Sequence, residues 1–152
     1  MNTHLRRRFI SALAGVAVAP LLAGRQARAA IESLAPVVSQ VTGGAPLREG
    51  RVTVDTPRLA DNGHSVPLRI SVESPMTAAD HVRSITLLSE RNPRPIMATF
   101  HLGPKTGRAE VVTRVRLNGT QRLLAVARLS DGSCWSGTAE VEVTESACLD
   151  AS

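Results

Sequence analysis

The chain has 152 residues, enough for one domain and not comfortably for two. Its formal charge of +5 sits at one end: residues 1–29 hold Arg6, Arg7, Arg8, Arg25 and Arg28 and no acid, which leaves 13 of the 18 basic residues against 13 acids in the remainder. That neutral remainder argues against nucleic acid or an anionic membrane as partner. With aromatics at 2%, no Tyr and one Trp, an aromatic cage or base-stacking platform has few residues to use.

Residues 1–29 read as an export signal. A basic stretch from His4 to Arg8 precedes an apolar run from Phe9 to Ala23, and Ala27-Arg28-Ala29 is a small-x-small cleavage site. Arg6-Arg7-Arg8-Phe9-Ile10 matches a twin-arginine signal, which addresses the chain to the periplasm. The apolar run falls short of the ~20 residues that a spanning helix needs, so no membrane association is expected after cleavage. Residues 30–49 are expected to form a short helix and a linker. Ile31, Leu34, Val37 or Val38, and Val41 recur at helical spacing up to Thr42, Pro36 is tolerable only in the first turn, and Gly43-Gly44 ends the helix.

From Gly50 onward the pattern turns to strands. Val52 to Val54 alternates until Pro57, and Asp61-Asn62-Gly63-His64 is a turn. Val66, Leu68, Ile70 and Val72 share one face of the next strand. Further strands are expected at His81–Ser89, Met97–Leu102, Ala109–Leu117 and Leu123–Leu129, separated by Pro- and Gly-rich connections. The last begins near Cys134-Trp135 and alternates through Thr144. About seven short strands with turn residues between them predict an all-β, immunoglobulin-like sandwich over residues 50–144. Residues 145–152 are too short for a further element and predict a flexible C-terminal arm bearing Cys148.

Two cysteines invite a disulfide in an oxidising compartment. A strand from Trp135 to Thr144 would run about 33 Å, and a four-residue tail reaches back only about 14 Å. Bridging needs Cα atoms within about 7 Å, so the pair is expected to stay unbridged. Cys134 is read as a partly buried residue filling a strand position, and Cys148 as the exposed, reactive thiol. His64, His81 and His101 lack the paired spacing of a metal site, no Cys-x-x-Cys is present, and no cofactor is expected. Gly43-Gly44 lacks the rest of a phosphate-binding loop, and no nucleophile triad is legible. Arg114 and Arg116 lie at i, i+2 on the polar face of one strand, a solvated face or one that meets a partner or a sulfonate-bearing tail.

Several runs carry a family resemblance over about Gly50 to Thr144. They are Asn62-Gly63-His64-Ser65-Val66-Pro67, Ser74-Pro75-Met76-Thr77, Asn92-Pro93-Arg94-Pro95, Ala98-Thr99-Phe100-His101, Gly107-Arg108-Ala109-Glu110, Thr113-Arg114-Val115-Arg116-Leu117, and Ser130-Asp131-Gly132-Ser133 with Trp135. In order and spacing they resemble SoxY, the sulfur carrier subunit of the thiosulfate-oxidising system. The resemblance implies an immunoglobulin-like subunit paired with a SoxZ-like partner. A cysteine on its C-terminal arm would carry sulfur intermediates, and periplasmic haem and manganese enzymes would load, oxidise and hydrolyse them. The carrier itself would catalyse nothing, and only Cys148 matches the carrier cysteine. The family arm is Gly-Gly-Cys-Gly-Gly or close to it, whereas this chain has Ser146-Ala147-Cys148-Leu149-Asp150. That departure leaves a second reading, a divergent SoxY-like interaction subunit that has lost cargo transfer.

Overall fold

The computed structural model describes residue 32 and residues 34–145. The expected export signal and the arm with Cys148 lie outside the described residues.

The helix α1 spans Ala35–Thr42, within the expected stretch from Ile31 to Thr42. Pro36 falls in its first turn, where the missing N–H has no partner to lose. Gly43 closes it in the left-handed conformation (φ 66°), a geometry that glycine adopts without steric cost.

Nine strands follow among the described residues, two more than expected: β1 (Leu47–Glu49), β2 (Val52–Asp55), β3 (Leu59–Asn62), β4 (Val66–Val72), β5 (Val82–Ser89), β6 (Ile96–His101), β7 (Glu110–Val115), β8 (Gln121–Leu129) and β9 (Cys134–Glu145). They form an immunoglobulin-like sandwich. One sheet has the order β1-β9-β8-β5-β6, with β3 also paired to β9, and the other has the order β2-β4-β7. A 3-10 turn at Pro104–Thr106 joins β6 to β7.

The strands absent from the sequence reading are β1 and β3. Both run parallel to β9, β1 against Cys134–Ser136 and β3 against Glu142–Glu145. β1 lies in the segment expected to be linker, and β3 takes in the Asp61 and Asn62 that read as a turn. Between them the chain crosses to the other sheet as β2. The crossing brings β2 close to β9: a Cβ built on Gly137 would lie 2.1 Å from the Val52 carbonyl oxygen. Only glycine allows that approach.

Alternation predicts β4 correctly, with Val66, Leu68, Ile70 and Val72 all buried. Strands β5 and β8 do not alternate, because both of their faces are covered. Ile85 packs with Leu87, Leu123 and Ala125 in the core between the sheets. Leu88, Leu124 and Val126 belong to a separate cluster, covered by Leu34 and Val38 at the helix. Each of these large side chains contributes about 1.5–3 kcal/mol on burial.

Candidate functional site

Strand β9 runs twelve residues, Cys134–Glu145, and ends three residues before Cys148. Its last residues are fastened on both edges. On one edge, Leu59 pairs with Glu142 and Asn62 with Glu145. The Gly63 N–H donates to the Glu145 carbonyl at 2.7 Å, and the Thr144 hydroxyl donates to the Asp61 carbonyl. On the other edge, the Val143 N–H donates to the Thr120 hydroxyl at 2.9 Å. The position where the arm leaves the sandwich is therefore fixed up to Glu145.

The surrounding loops are locked by side chains. The buried Ser89 hydroxyl donates to Gln121 Oε1. Gln121 Nε2 donates to Asn92 Oδ1 at 3.1 Å, and Asn92 Nδ2 donates to the Arg116 carbonyl at 2.8 Å. The Asn118 N–H donates to Asn92 Oδ1 at 2.9 Å, and the Leu117 N–H to the Gly63 carbonyl at 2.8 Å. These bonds satisfy groups that would be costly to bury unpaired. Asn62-Gly63-His64, Asn92-Pro93-Arg94 and Arg114-Val115-Arg116-Leu117 thus converge on the arm end of the sandwich.

Beside this end, the free edges of β6 and β7 leave a cleft of about 530 Å³ between the two sheets. Arg94, Arg114 and Arg116 line it over Ile96, Phe100 and Val115, and no acidic residue does. Arg114 is held by its Nη1, which donates to the Ser65 carbonyl at 3.2 Å. Arg94 and Arg116 have no carboxylate partner among the described residues. The sequence singled out Arg114 and Arg116 by their spacing; nothing in it marks Arg94, from a separate loop, as joining them.

The second half of the signature residues lies at the opposite end of β9. Asp131 Oδ1 accepts from the Ser133 N–H at 2.8 Å and from its hydroxyl at 2.7 Å. The hydrogen bonds from Ser133 hold the Asp131 carboxyl below its ordinary pKa. Trp135 Nε1 donates to the Ser133 hydroxyl at 3.1 Å, and the guanidiniums of Arg48 and Arg51 lie over its ring at 5.6 and 5.2 Å from the centroid. This is structural stitching: it ties β1 and the crossing to the start of β9.

Cys134 lies in this far region, opposite Leu47 and Arg128 in register. It is a free thiol with 0% exposure, more deeply buried than expected, and burial pushes its pKa up. Both its burial and its raised pKa oppose reaction in the folded protein. The three histidines do not gather at one place: His64 is at the arm end, while His81, whose Nδ1 faces the Thr77 carbonyl, and His101, opposite Ser84, lie toward the other. Among the described residues no three His, Cys, Asp or Glu side chains group as metal ligands would.

Comparisons with known proteins agree with this geometry. The family model described as sulfur oxidation protein SoxY matches residues 38–148. The sulfur carrier protein SoxY from Chlorobium limicola f thiosulfatophilum superposes with a TM-score of 0.63 at 25% identity, covering 74% of this chain and 97% of that one. A superoxide reductase (neelaredoxin) from Ignicoccus hospitalis reaches a TM-score of 0.55 at 20% identity, covering 62% of this chain and 80% of that one. A putative superoxide reductase from Thermotoga maritima also reaches 0.55, at 16% identity over 66% and 95%. These two share the fold alone. No curated protein matches the chain by sequence. With a SoxY match spanning most of its length and a sandwich shared with a SoxY structure, the chain belongs to the SoxY family of sulfur oxidation proteins.

Proposed function

We propose that the protein is a periplasmic sulfur carrier that holds sulfur intermediates covalently on Cys148, in a complex with a SoxZ-like subunit. The observation that carries this reading is positional. The family match runs through Cys148, its last matched residue, and β9 ends at Glu145 in a fixed position beside the arm-end loops. The similarity to a sulfur carrier over nearly all of that chain supports it. Cys134, buried and with its thiolate disfavoured, is no rival for the role. The twin-arginine-type signal at residues 1–29 supports export of a chain already folded with its partner.

The chemistry requires a thiolate and outside catalysts. The Cys148 sulfur forms a bond to the outer sulfur of thiosulfate, giving a cysteine S-thiosulfonate. Two electrons leave to an external acceptor, by resemblance a haem enzyme. Hydrolysis by a second enzyme, by resemblance a manganese one, adds water across the S–SO₃ bond, releases sulfate and two protons, and leaves a persulfide on Cys148. In this scheme the carrier presents cargo and contributes no catalytic group.

The test is the intact mass of the mature protein before and after incubation with thiosulfate and the partner oxidase. A mass increase that reductant reverses, that maps to Cys148 and that is absent in Cys148→Ser is expected. Cys148→Ser should retain the SoxZ-like partner. The absence of an adduct on an alkylatable Cys148 would favour the second reading, an interaction subunit without cargo transfer. Its motivation is the glycine-free sequence Ser146-Ala147-Cys148-Leu149-Asp150.

A further inference from the structure

We infer that the outer edge of β7 pairs with the same edge of a second copy of this chain. The two β7 strands run antiparallel about a two-fold axis at Val112, and the two β2-β4-β7 sheets join into one. The inference goes beyond the carrier reading and does not depend on Cys148.

β7 ends its sheet, with β4 on one side and no strand on the other. The Val72 N–H donates to the Ala109 carbonyl at 2.9 Å, and the β4–β7 register then runs unbroken from Ser71–Glu110 to Val66–Val115. In an antiparallel ladder, alternate residues turn both backbone groups to the same neighbour. Ala109, Val111, Thr113 and Val115 therefore serve β4, and Glu110, Val112 and Arg114 turn their N–H and C=O groups to the open edge. The same three residues lie opposite Ser71, Arg69 and Pro67, on the face of the sheet away from the core. Val112 is 64% exposed, the most of any large hydrophobic side chain among the described residues.

This edge is complementary to itself. In the register centred on Val112, Glu110 stands opposite Arg114 of the second copy, Val111 opposite Thr113, and Val112 opposite its own equivalent. Two ion pairs flank one apolar contact, and the three edge-facing residues of each copy supply about six backbone hydrogen bonds. A slip by two residues either way sets Val112 against a charge, Glu110 or Arg114. Glu110 takes Arg69 Nη1 on Oε1 at 3.0 Å, which leaves Oε2 to face the second copy. Arg114 is anchored through Nη1 by Ser65 and keeps its remaining N–H groups. The like-charged Arg108 and Arg116 meet only beyond the ends of β7, where the ladder has stopped. The other outer edges are blunted as sheet edges usually are. β6 follows Pro93 and Pro95, and its pairing with β5 shifts register between Leu87 and Leu88. β2 has four residues and Pro57 soon after it. β7 has six residues, no proline and no shift. The pairing points the two β7 C-terminal ends, and the arm roots beside Leu117, toward opposite ends of the joined sheet, so each arm is presented separately.

Sedimentation velocity of the mature protein over a concentration series tests this, in reductant so that no Cys148 disulfide contributes. The parent should pass from monomer to dimer as concentration rises. Glu110→Arg or Arg114→Glu alone sets like charges in both flanking pairs and should weaken the dimer at least about tenfold. Equal amounts of the two single variants should pair with each other and recover most of the lost affinity. Val112→Pro removes an N–H that faces the open edge and not β4, so it should abolish the dimer while circular dichroism still shows the folded sandwich. A parent that stays monomeric at every concentration overturns the inference, as does a dimer indifferent to these substitutions. Loss of the SoxZ-like partner from Val112→Pro would give the edge to that partner and overturn it too. None of these outcomes bears on the sulfur adduct at Cys148, which the mass measurement decides separately.

Discussion

Replacing Gly137 with alanine probes the crossing of β2 over β9 directly. The added Cβ would sit 2.1 Å from the Val52 oxygen, 2.8 Å from its carbonyl carbon and 3.2 Å from its Cβ. An ordinary carbon–oxygen contact needs about 3.3 Å, so β2 would have to retreat by roughly 1 Å. Retreat is resisted on both sides. Val52 is a core residue at 8% exposure, and β2 is held to β4 by the register from Val52–Val72 to Asp55–Arg69. Overpacking of a well-packed site costs about 1–3 kcal/mol. Because backbone rather than a side chain must move here, the upper end applies. At roughly 4 °C per kcal/mol for a domain of this size, Gly137→Ala should lower the melting temperature by about 12 °C in circular dichroism. Gly103→Ala is the control. Its backbone is extended (φ −147°) and a Cβ there meets nothing within 4 Å, so it should melt within about 2 °C of the parent. A Gly137→Ala protein that melts with the control would mean that β2 does not pass over β9 at this point.

Further outcomes follow from the packing and charge. Leu124→Ala, under the helix, should cost about 2–5 kcal/mol in denaturant unfolding, because Leu124 is fully buried against α1. Cys134 should resist iodoacetamide in the folded protein and react once denaturant is added, in contrast to the Cys148 thiol that the carrier reading requires to be accessible. Asp131 has a folded pKa below its unfolded one, so its contribution is present above about pH 4 and is lost as pH falls through the folded value. Asp131→Asn should therefore flatten the acid limb of a melting-temperature profile below about pH 4; an unchanged limb would remove Asp131 from the account.

The sequence made some of this fold legible and hid the rest for identifiable reasons. β4 and the second half of β9 alternate because one face of each meets the core and the other meets solvent. The position of α1 was legible once Pro36 was allowed in a first turn. β5 and β8 broke alternation because Leu34 and Val38 cover their outer face, which local periodicity cannot report. β1 and β3 are three and four residues long and carry Arg48, Glu49, Asp61 and Asn62. They are strands by pairing with β9, a long-range cause with no local signature. At the candidate site, several of the runs that carry the family resemblance fall on its loops. Their division between two ends of β9, one beside the arm and one around Trp135, is a property of topology. The same holds for Arg94, which meets Arg114 and Arg116 only across the gap between sheets.

The arm itself yields the last prediction. Its root is fixed at Glu145 by Gly63 and Thr144, so on the carrier reading residues 146–150 would govern how the thiol approaches an enzyme cleft. Ala147 and Leu149 restrict the backbone where glycine would not, at about 1–2 kcal/mol for each position that needs a left-handed φ. Asp150 adds a charge that repels an anionic substrate by roughly 0.6 kcal/mol at about 7 Å in water. Where both positions need that φ, these effects together oppose loading by roughly 2.5–4.5 kcal/mol, or about 70- to 2000-fold in rate. Replacing residues 146–150 with Gly-Gly-Cys-Gly-Gly should therefore accelerate thiosulfate loading at least about tenfold, measured as adduct mass against time with the partner oxidase. Most of the charge component should vanish at high salt, since an exposed carboxylate is screened there, while the backbone component should persist. If the glycine arm loads no faster at any ionic strength, neither side-chain bulk nor charge beside Cys148 limits the transfer. The native arm would then be as competent as a glycine-flanked one, and the second reading would lose its motivation.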